Sequence, residues 1–191
     1  RNAQEAKDTV VLKALTQQLA GLDDLYDRQP GQAAYRAFAR ARLEPALSRL
    51  GWDAKAGEPD NDALLRTTLL TTLGQLDDPA VVAEARRRFA ASLANPGSLT
   101  GTTRQTVLRI VAEHADAATW DQLHTLAQTT TDPTDKTRFY HYLGVSHDPA
   151  LADPALALSL TKEPPPTDAP EIISGVAEHF PDKAFDFVVA H

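Results

Sequence analysis

The chain has 191 residues, a formal net charge of −7, 42% hydrophobic residues, and neither cysteine nor methionine. Without cysteine there is no disulfide or thiol chemistry, which suits cytoplasm and bacterial periplasm equally. An acidic chain opposes nucleic-acid binding, which leans on phosphate neutralisation by Lys and Arg. No apolar run approaches a membrane span, so neither nucleic acid nor membrane is an expected partner.

In chain order, residues 7–26 read as one helix with Val11, Leu15, Leu19, Leu22 and Leu25 along one side. Pro30-Gly31 ends it. Tyr35, Phe38, Leu43, Leu47 and Leu50 carry a second helical pattern, which Pro45 should kink or restart. Gly51 suits a left-handed cap, and Trp52 after it should be largely buried against the next helices. A loop rich in Gly, Pro and acids runs to Asn61.

The stretch 64–93 is an αα-hairpin. Leu65, Leu69, Leu73 and Leu76 form one stripe, and Val82, Ala85, Phe89 and Leu93 the other. Between them Asp78 can cap a helix whose first turn holds Pro79. Asn95-Pro96-Gly97-Ser98 breaks the pattern, and Thr102 or Thr103 can cap the next helix. Its stripe is Val107, Ile110, Val111 and His114, and Trp120, Leu123 and Leu126 form its partner. Asp132-Pro133 starts a helix carrying Phe139, Tyr142 and Leu143. Asp148-Pro149 and Asp153-Pro154 make the following helix irregular, and 162–170, with four prolines, is an extended loop. The last pair carries Ile172, Ile173, Val176 and Phe180, then Phe185, Val188 and Val189.

The hairpin recurs. Leu73-Gly74, Val111-Ala112, Leu143-Gly144 and Val176-Ala177 each precede a polar turn, at spacings of 38 (111 − 73), 32 (143 − 111) and 33 (176 − 143). Spacings in the thirties mark stacked helix pairs. The expected fold class is all-α, a HEAT/armadillo-like superhelix of antiparallel pairs. Residues 1–60 are leading helices and a loop, and 61–191 are four helix-pair repeats of a single domain. Arg1 in place of a start Met, and a pattern running on to His191, suggest part of a longer protein.

No catalytic residues and no metal ligands are assigned. Ser146-His147-Asp148 is a triad only on paper, because neighbouring side chains diverge. His114 and His179 sit at equivalent helix C-termini. The dipole accounts for them structurally; a metal or acid–base role is the functional alternative. The His-Glu-x-x-His spacing that puts two imidazoles one helical turn apart for zinc is absent. Asp60-Asn61-Asp62 reads as a helix cap and not as a calcium loop. Arg86-Arg87-Arg88 reads as a solvated helix end.

One order of short motifs is more specific. Leu50-Gly51-Trp52, Gly57-Glu58, Leu64-Leu65-Arg66, Leu73-Gly74 and Ala83-Glu84-Ala85-Arg86-Arg87-Arg88-Phe89 are followed by Asp135-Lys136-Thr137-Arg138, Ile172-Ile173-Ser174-Gly175-Val176-Ala177 and Ala184-Phe185-Asp186-Phe187. This order resembles the C-terminal helical domain of M1-family zinc aminopeptidases, from about Asp8 onward. The resemblance implies a metalloprotease parent whose zinc lies in an upstream catalytic domain of the same polypeptide. It further implies a bowl of helix pairs that covers that active site and contacts peptide substrates. The lysine-poor, Ala- and Arg-rich composition suggests a bacterial source. A free-standing helical-repeat scaffold binding a protein or peptide is the alternative.

Arg66, Arg104 and Lys136 each lie seven residues before a repeat anchor (73 − 7, 111 − 7, 143 − 7). Equivalent positions of stacked repeats face one way. With Arg138 and Tyr142 nearby, this row is the candidate substrate-binding set, suited to carboxylates. Its structural explanation is i,i+4 pairing of Asp62 with Arg66 and of Asp132 with Lys136.

Overall fold

The computed structural model describes residues 3–26 and 29–191, with side chains from Asp8 onward. Among the described residues the chain is all-α. The helices are α1 (Ala3–Leu25), α2 (Gln32–Leu50), α3 (Asp60–Gln75), α4 (Pro79–Ala94), α5 (Gly101–Glu113), α6 (Ala117–Thr129), α7 (Pro133–Tyr142), α8 (Pro149–Ser159), α9 (Ala169–His179) and α10 (Pro181–Ala190), with a 3-10 turn at Pro96–Ser98. From α3 on they follow one another as short-linked pairs, as HEAT-like stacking requires. The chain divides into two compact units, Arg1–Ile110 and Val111–His191.

Helix starts follow local chemistry. Asp78 accepts from the N–H groups of Ala80 (3.0 Å) and Val81 (2.9 Å). Asp116, Asp132 and Asp148 cap α6, α7 and α8 in the same way. Each cap satisfies donors that the first turn leaves orphaned. Two expected caps move. Gly101 opens α5, so Thr102 and Thr103 lie inside its first turn. Pro59 precedes α3, so Asp60 and Asp62 place their charges in that helix's first turn instead. Prolines 45 and 154 neither restart nor break α2 and α8. Both lie on solvent faces, as do Ala41 and Ala150 four residues back, so water can take the carbonyl that loses its N–H.

In the first unit α3 is the centre. Leu65, Leu69, Leu73 and Leu76 are fully buried, as their spacing predicts. In α2 the buried line is Ala39, Leu43, Leu47 and Leu50, while Phe38 is half exposed. In α4 it is Val81, Ala85 and Phe89, rotated so that Leu93 turns outward. Against expectation, α1 shows its apolar stripe to solvent: Val11, Leu15, Leu22 and Leu25 are exposed, whereas Thr9, Thr16 and Asp23 are buried. Specific polar bonds hold it in that rotation. Arg36 grips the Asp23 carboxylate (2.8 Å), the Tyr35 hydroxyl donates to the Leu19 carbonyl (2.6 Å), and Gln75 donates to Asp24 (2.9 Å). Gly51 has φ 74°, which favours glycine, and its N–H caps Leu47. Trp52 is half buried, less than expected, because one ring face is covered by the Arg88 guanidinium (5.0 Å) and not by apolar core.

In the second unit the backbones of α7 and α9 touch. A Cβ added to Gly144 would sit 2.3 Å from the Ile172 carbonyl oxygen and 2.7 Å from the Val176 nitrogen. One added to Gly175 would sit 2.5 Å from the His141 oxygen. Only glycine permits that approach, and it lets Leu143, Val145, Ile172 and Val176 bury completely. The Trp120 indole N–H donates to the Leu143 carbonyl (2.8 Å), tying α6 to the same crossing. In α10, Phe185, Val188 and Val189 face solvent and Ala184 faces α9.

Candidate functional site

The polar site of the first unit is a groove of about 450 Å³ beside the start of α5. Arg66, Thr67 and Leu70 from α3 and Arg88 from α4 line it, with Asp53 and the segment from Ser98 to Thr103, and Thr106. Six of these residues carry hydroxyls: Thr67, Ser98, Thr100, Thr102, Thr103 and Thr106. Thr67 and Thr106 donate to carbonyls four residues back, which leaves their oxygen lone pairs to accept.

The two arginines of the groove are already neutralised. Arg66 is only 4% exposed. Its guanidinium forks onto both oxygens of Glu58, and its Nε donates to the Gly51 carbonyl (3.0 Å). Arg88 makes two bonds to Asp53 (2.7 and 2.8 Å) and one to Glu84 (2.8 Å), and Glu84 also accepts from Arg87. With its cations paired, the groove offers hydrogen bonds and little net charge. That chemistry suits a neutral polar chain such as a peptide backbone better than an anion. The lining holds no histidine to act as a base for a hydroxyl.

The bond from Arg66 holds the Glu58 carboxyl at about 2, below its ordinary 4.5. A depressed carboxyl stabilises the folded state while ionised. Its contribution is whole above about 4.5 and is lost as pH falls toward about 2. A Glu58→Gln chain should therefore be less stable than the wild type near neutral pH. In urea titrations the gap should close as pH falls through that window. A gap that stays constant with pH would mean that the pair contributes nothing to the acid limb.

The structure does not treat the expected row of cations alike. Arg66 is a buried strut whose forked partner is Glu58. Arg104 is half buried on α5 and is not among the groove's lining residues. In the second unit Lys136 is half buried. The Asp132 carboxylate accepts from the Asp135 N–H, as a cap. Arg138 pairs with Asp135 at 2.9 Å, three residues back. Tyr142 is 6% exposed, edge-on to Phe139 in the core. Sequence reasoning missed Asp53, Arg88 and the hydroxyl segment. The run of Ser and Thr between 98 and 106 was the one available signal.

The other motifs resolve structurally. Ser146 donates to the Ala115 carbonyl and accepts from the Asp148 N–H, while Asp148 caps α8, so no triad forms. Arg86, Arg87 and Arg88 lie mid-helix in α4, and not at its end. Arg87 and Arg88 are held there by Glu84 and Asp53.

A family described as the ERAP1-like C-terminal domain matches residues 2–191. The chain is 41% identical over 86 residues, 44% of its length, to Aminopeptidase M1-A of Oryza sativa subsp. japonica. It is 34% identical over 100 residues, 52% of its length, to Aminopeptidase N of Lactococcus lactis subsp. lactis. It is 33% identical over 137 residues, 69% of its length, to Aminopeptidase M1 of Arabidopsis thaliana. The matched stretches span only 10%, 12% and 16% of those relatives. A match along almost the whole chain, on an all-α array of helix pairs, establishes that this chain belongs to the ERAP1-like C-terminal domain family of M1 aminopeptidases.

Proposed function

We propose that this chain is the non-catalytic helical part of an M1 zinc aminopeptidase, covering the active site of its own polypeptide and contacting peptide substrates. The observation that carries this reading is the family match over residues 2–191 beside the small share, 10% to 16%, of each named aminopeptidase that the chain spans. The absence of His-Glu-x-x-His from this sequence agrees with zinc and catalysis residing elsewhere in the enzyme. The hydroxyl-rich groove supports contact with peptide backbone. Arg104, Lys136 and Arg138 are the cations proposed to attract a peptide's C-terminal carboxylate or acidic side chains. Arg66 and Tyr142 are not, because Glu58 holds the Arg66 guanidinium and the core takes the Tyr142 ring.

The test uses the intact enzyme encoded by the parent reading frame. Arg104→Glu, Lys136→Glu and Arg138→Glu should each raise KM for long peptides roughly fivefold, the equivalent of about 1 kcal/mol for one partly exposed charge. KM for a single-residue chromogenic substrate should not change. Equal responses of both substrates, or of neither, would remove the peptide-contact role. A parent frame lacking His-Glu-x-x-His upstream would remove the aminopeptidase reading itself.

A further inference from the structure

Three turns of the second unit each carry a histidine. His114 follows α5, His147 lies between α7 and α8, and His179 ends α9. Their spacings, 33 (147 − 114) and 32 (179 − 147), are the repeat length, so each repeat sets its imidazole on the next. The His114 and His147 rings lie 5.1 Å apart at 71°, and those of His147 and His179 lie 4.3 Å apart at 79°. A ring nitrogen of His114 and one of His147 lie within 4.8 Å of each other.

The backbone holds this column firmly. The His147 N–H donates to the Glu113 carbonyl (2.8 Å), and the Ser146 hydroxyl donates to the Ala115 carbonyl (3.1 Å). The turn bearing His147 is thus bonded on both sides of His114. The contact of Gly144 with Gly175 sets α9, and with it His179, against that same turn. All three imidazoles are half buried, so they combine a rigid support with access from solvent.

Packing alone does not call for imidazole at three successive turns, because any aromatic or aliphatic side chain makes edge contact. Imidazole adds a nitrogen donor that suits zinc, copper and nickel. Two ligands on one such ion, each about 2.0–2.1 Å from it, stand about 3 Å apart. The two nitrogens, under 4.8 Å apart, are within about 2 Å of that separation.

We propose that this column binds one divalent first-row transition-metal ion, with His114 and His147 as its ligands, and that His179 orients the His147 ring. Water completes the coordination. The proposal does not rest on the aminopeptidase reading. Copper should bind more tightly than nickel or zinc, as the general order for divalent first-row ions has it. The ion joins the turn after α5 to the turn after α7, so it stabilises the second unit by mass action.

The experiment uses the untagged chain. Calorimetric titration with Ni²⁺ and Zn²⁺ should give one equivalent per chain and a metal-dependent rise in Tm. Electron paramagnetic resonance of the Cu²⁺ form should show coupling to two imidazole nitrogens. His114→Gln and His147→Gln should each abolish saturable binding, and His179→Gln should weaken it about tenfold, as loss of an orienting partner does. A combined His124→Gln, His141→Gln, His191→Gln chain should bind like the wild type. Absence of saturable binding, binding that survives loss of His114 or His147, or binding lost in the combined control overturns the proposal. Should His147→Gln fail to fold, His114→Gln and the spectrum of the wild type decide the question.

Discussion

Replacing Gly144 with alanine is expected to unfold the second unit under conditions where the wild type is stable. The added methyl would lie 2.3 Å from the Ile172 oxygen, 2.7 Å from the Val176 nitrogen and 3.0 Å from the Gly175 carbonyl carbon. All three are backbone atoms and cannot rotate aside. Relief requires α9 to move away from α7, which opens the layer formed by Leu143, Val145, Ile172 and Val176. Overpacking a core costs typically 1–3 kcal/mol, and a clash with fixed backbone belongs at or above about 3 kcal/mol. Gly175→Ala should rank just behind, since its methyl meets the His141 oxygen at 2.5 Å; the roughly 1 kcal/mol of helix propensity that alanine adds is too small to compensate. Gly74→Ala should be the mildest, because its nearest neighbour is the Ile110 side chain at 2.7 Å, which can turn away. Urea unfolding in a Trp52→Phe background reads this directly. Trp120 is then the only tryptophan, and its indole is bonded to the residue before Gly144. An unchanged midpoint for Gly144→Ala would show that the α7–α9 backbone contact is not what holds this unit.

Arg66→Ala should be the most damaging charge deletion in the first unit. The guanidinium ties α3 to the end of α2 through the Gly51 carbonyl and to the loop before α3 through Glu58. Its removal leaves the Glu58 carboxylate only the Lys55 N–H (3.2 Å) and takes the Nε donor from the Gly51 carbonyl. Arg66 is buried but Glu58 is only part-buried, so the cost lies below the roughly 3–5 kcal/mol of a fully buried pair broken from one side. Arg66→Lys should recover less than half of that, because an ammonium cannot fork onto both carboxylate oxygens while also reaching Gly51. Trp52, next to Gly51, reports the loss by fluorescence in a Trp120→Phe background. An Arg66→Ala chain with wild-type urea resistance would place Arg66 among the free surface cations and return it to the candidate peptide-binding set.

The sequence by itself determined that the chain is helical, where most helices begin, and which face of α3 is inside. Those are local matters. A 3.6-residue apolar period selects a helix, and an Asp before Pro caps one, whatever the rest of the chain does. Asp78-Pro79, Asp132-Pro133 and Asp148-Pro149 were legible for that reason. The order of short motifs from Leu50 to Phe187 was likewise sufficient to point to the family.

What only the tertiary structure decided is how each helix is rotated and which side chains meet. Val11, Leu15, Leu22 and Leu25 have the spacing of a core stripe, yet α1 turns them outward, because Asp23 must reach Arg36 and because Tyr35 bonds the Leu19 carbonyl. Periodicity defines a stripe; the partners of its flanking polar groups choose which stripe is buried. The same holds for the basic positions. Arg66, Arg104 and Lys136 hold the same offset from successive anchors in the sequence, but it is Glu58 in the preceding loop that makes a strut of Arg66. His147 is the converse case. In the sequence it is the middle of a spurious Ser-His-Asp run, and the bonds from its N–H to the Glu113 carbonyl and from Ser146 to the Ala115 carbonyl place its ring beside His114. Contacts between residues some 30 apart depend on how the turns are stacked, and that stacking rests on backbone contacts, of His147 with Glu113 and of Gly144 with Gly175, which no local pattern records.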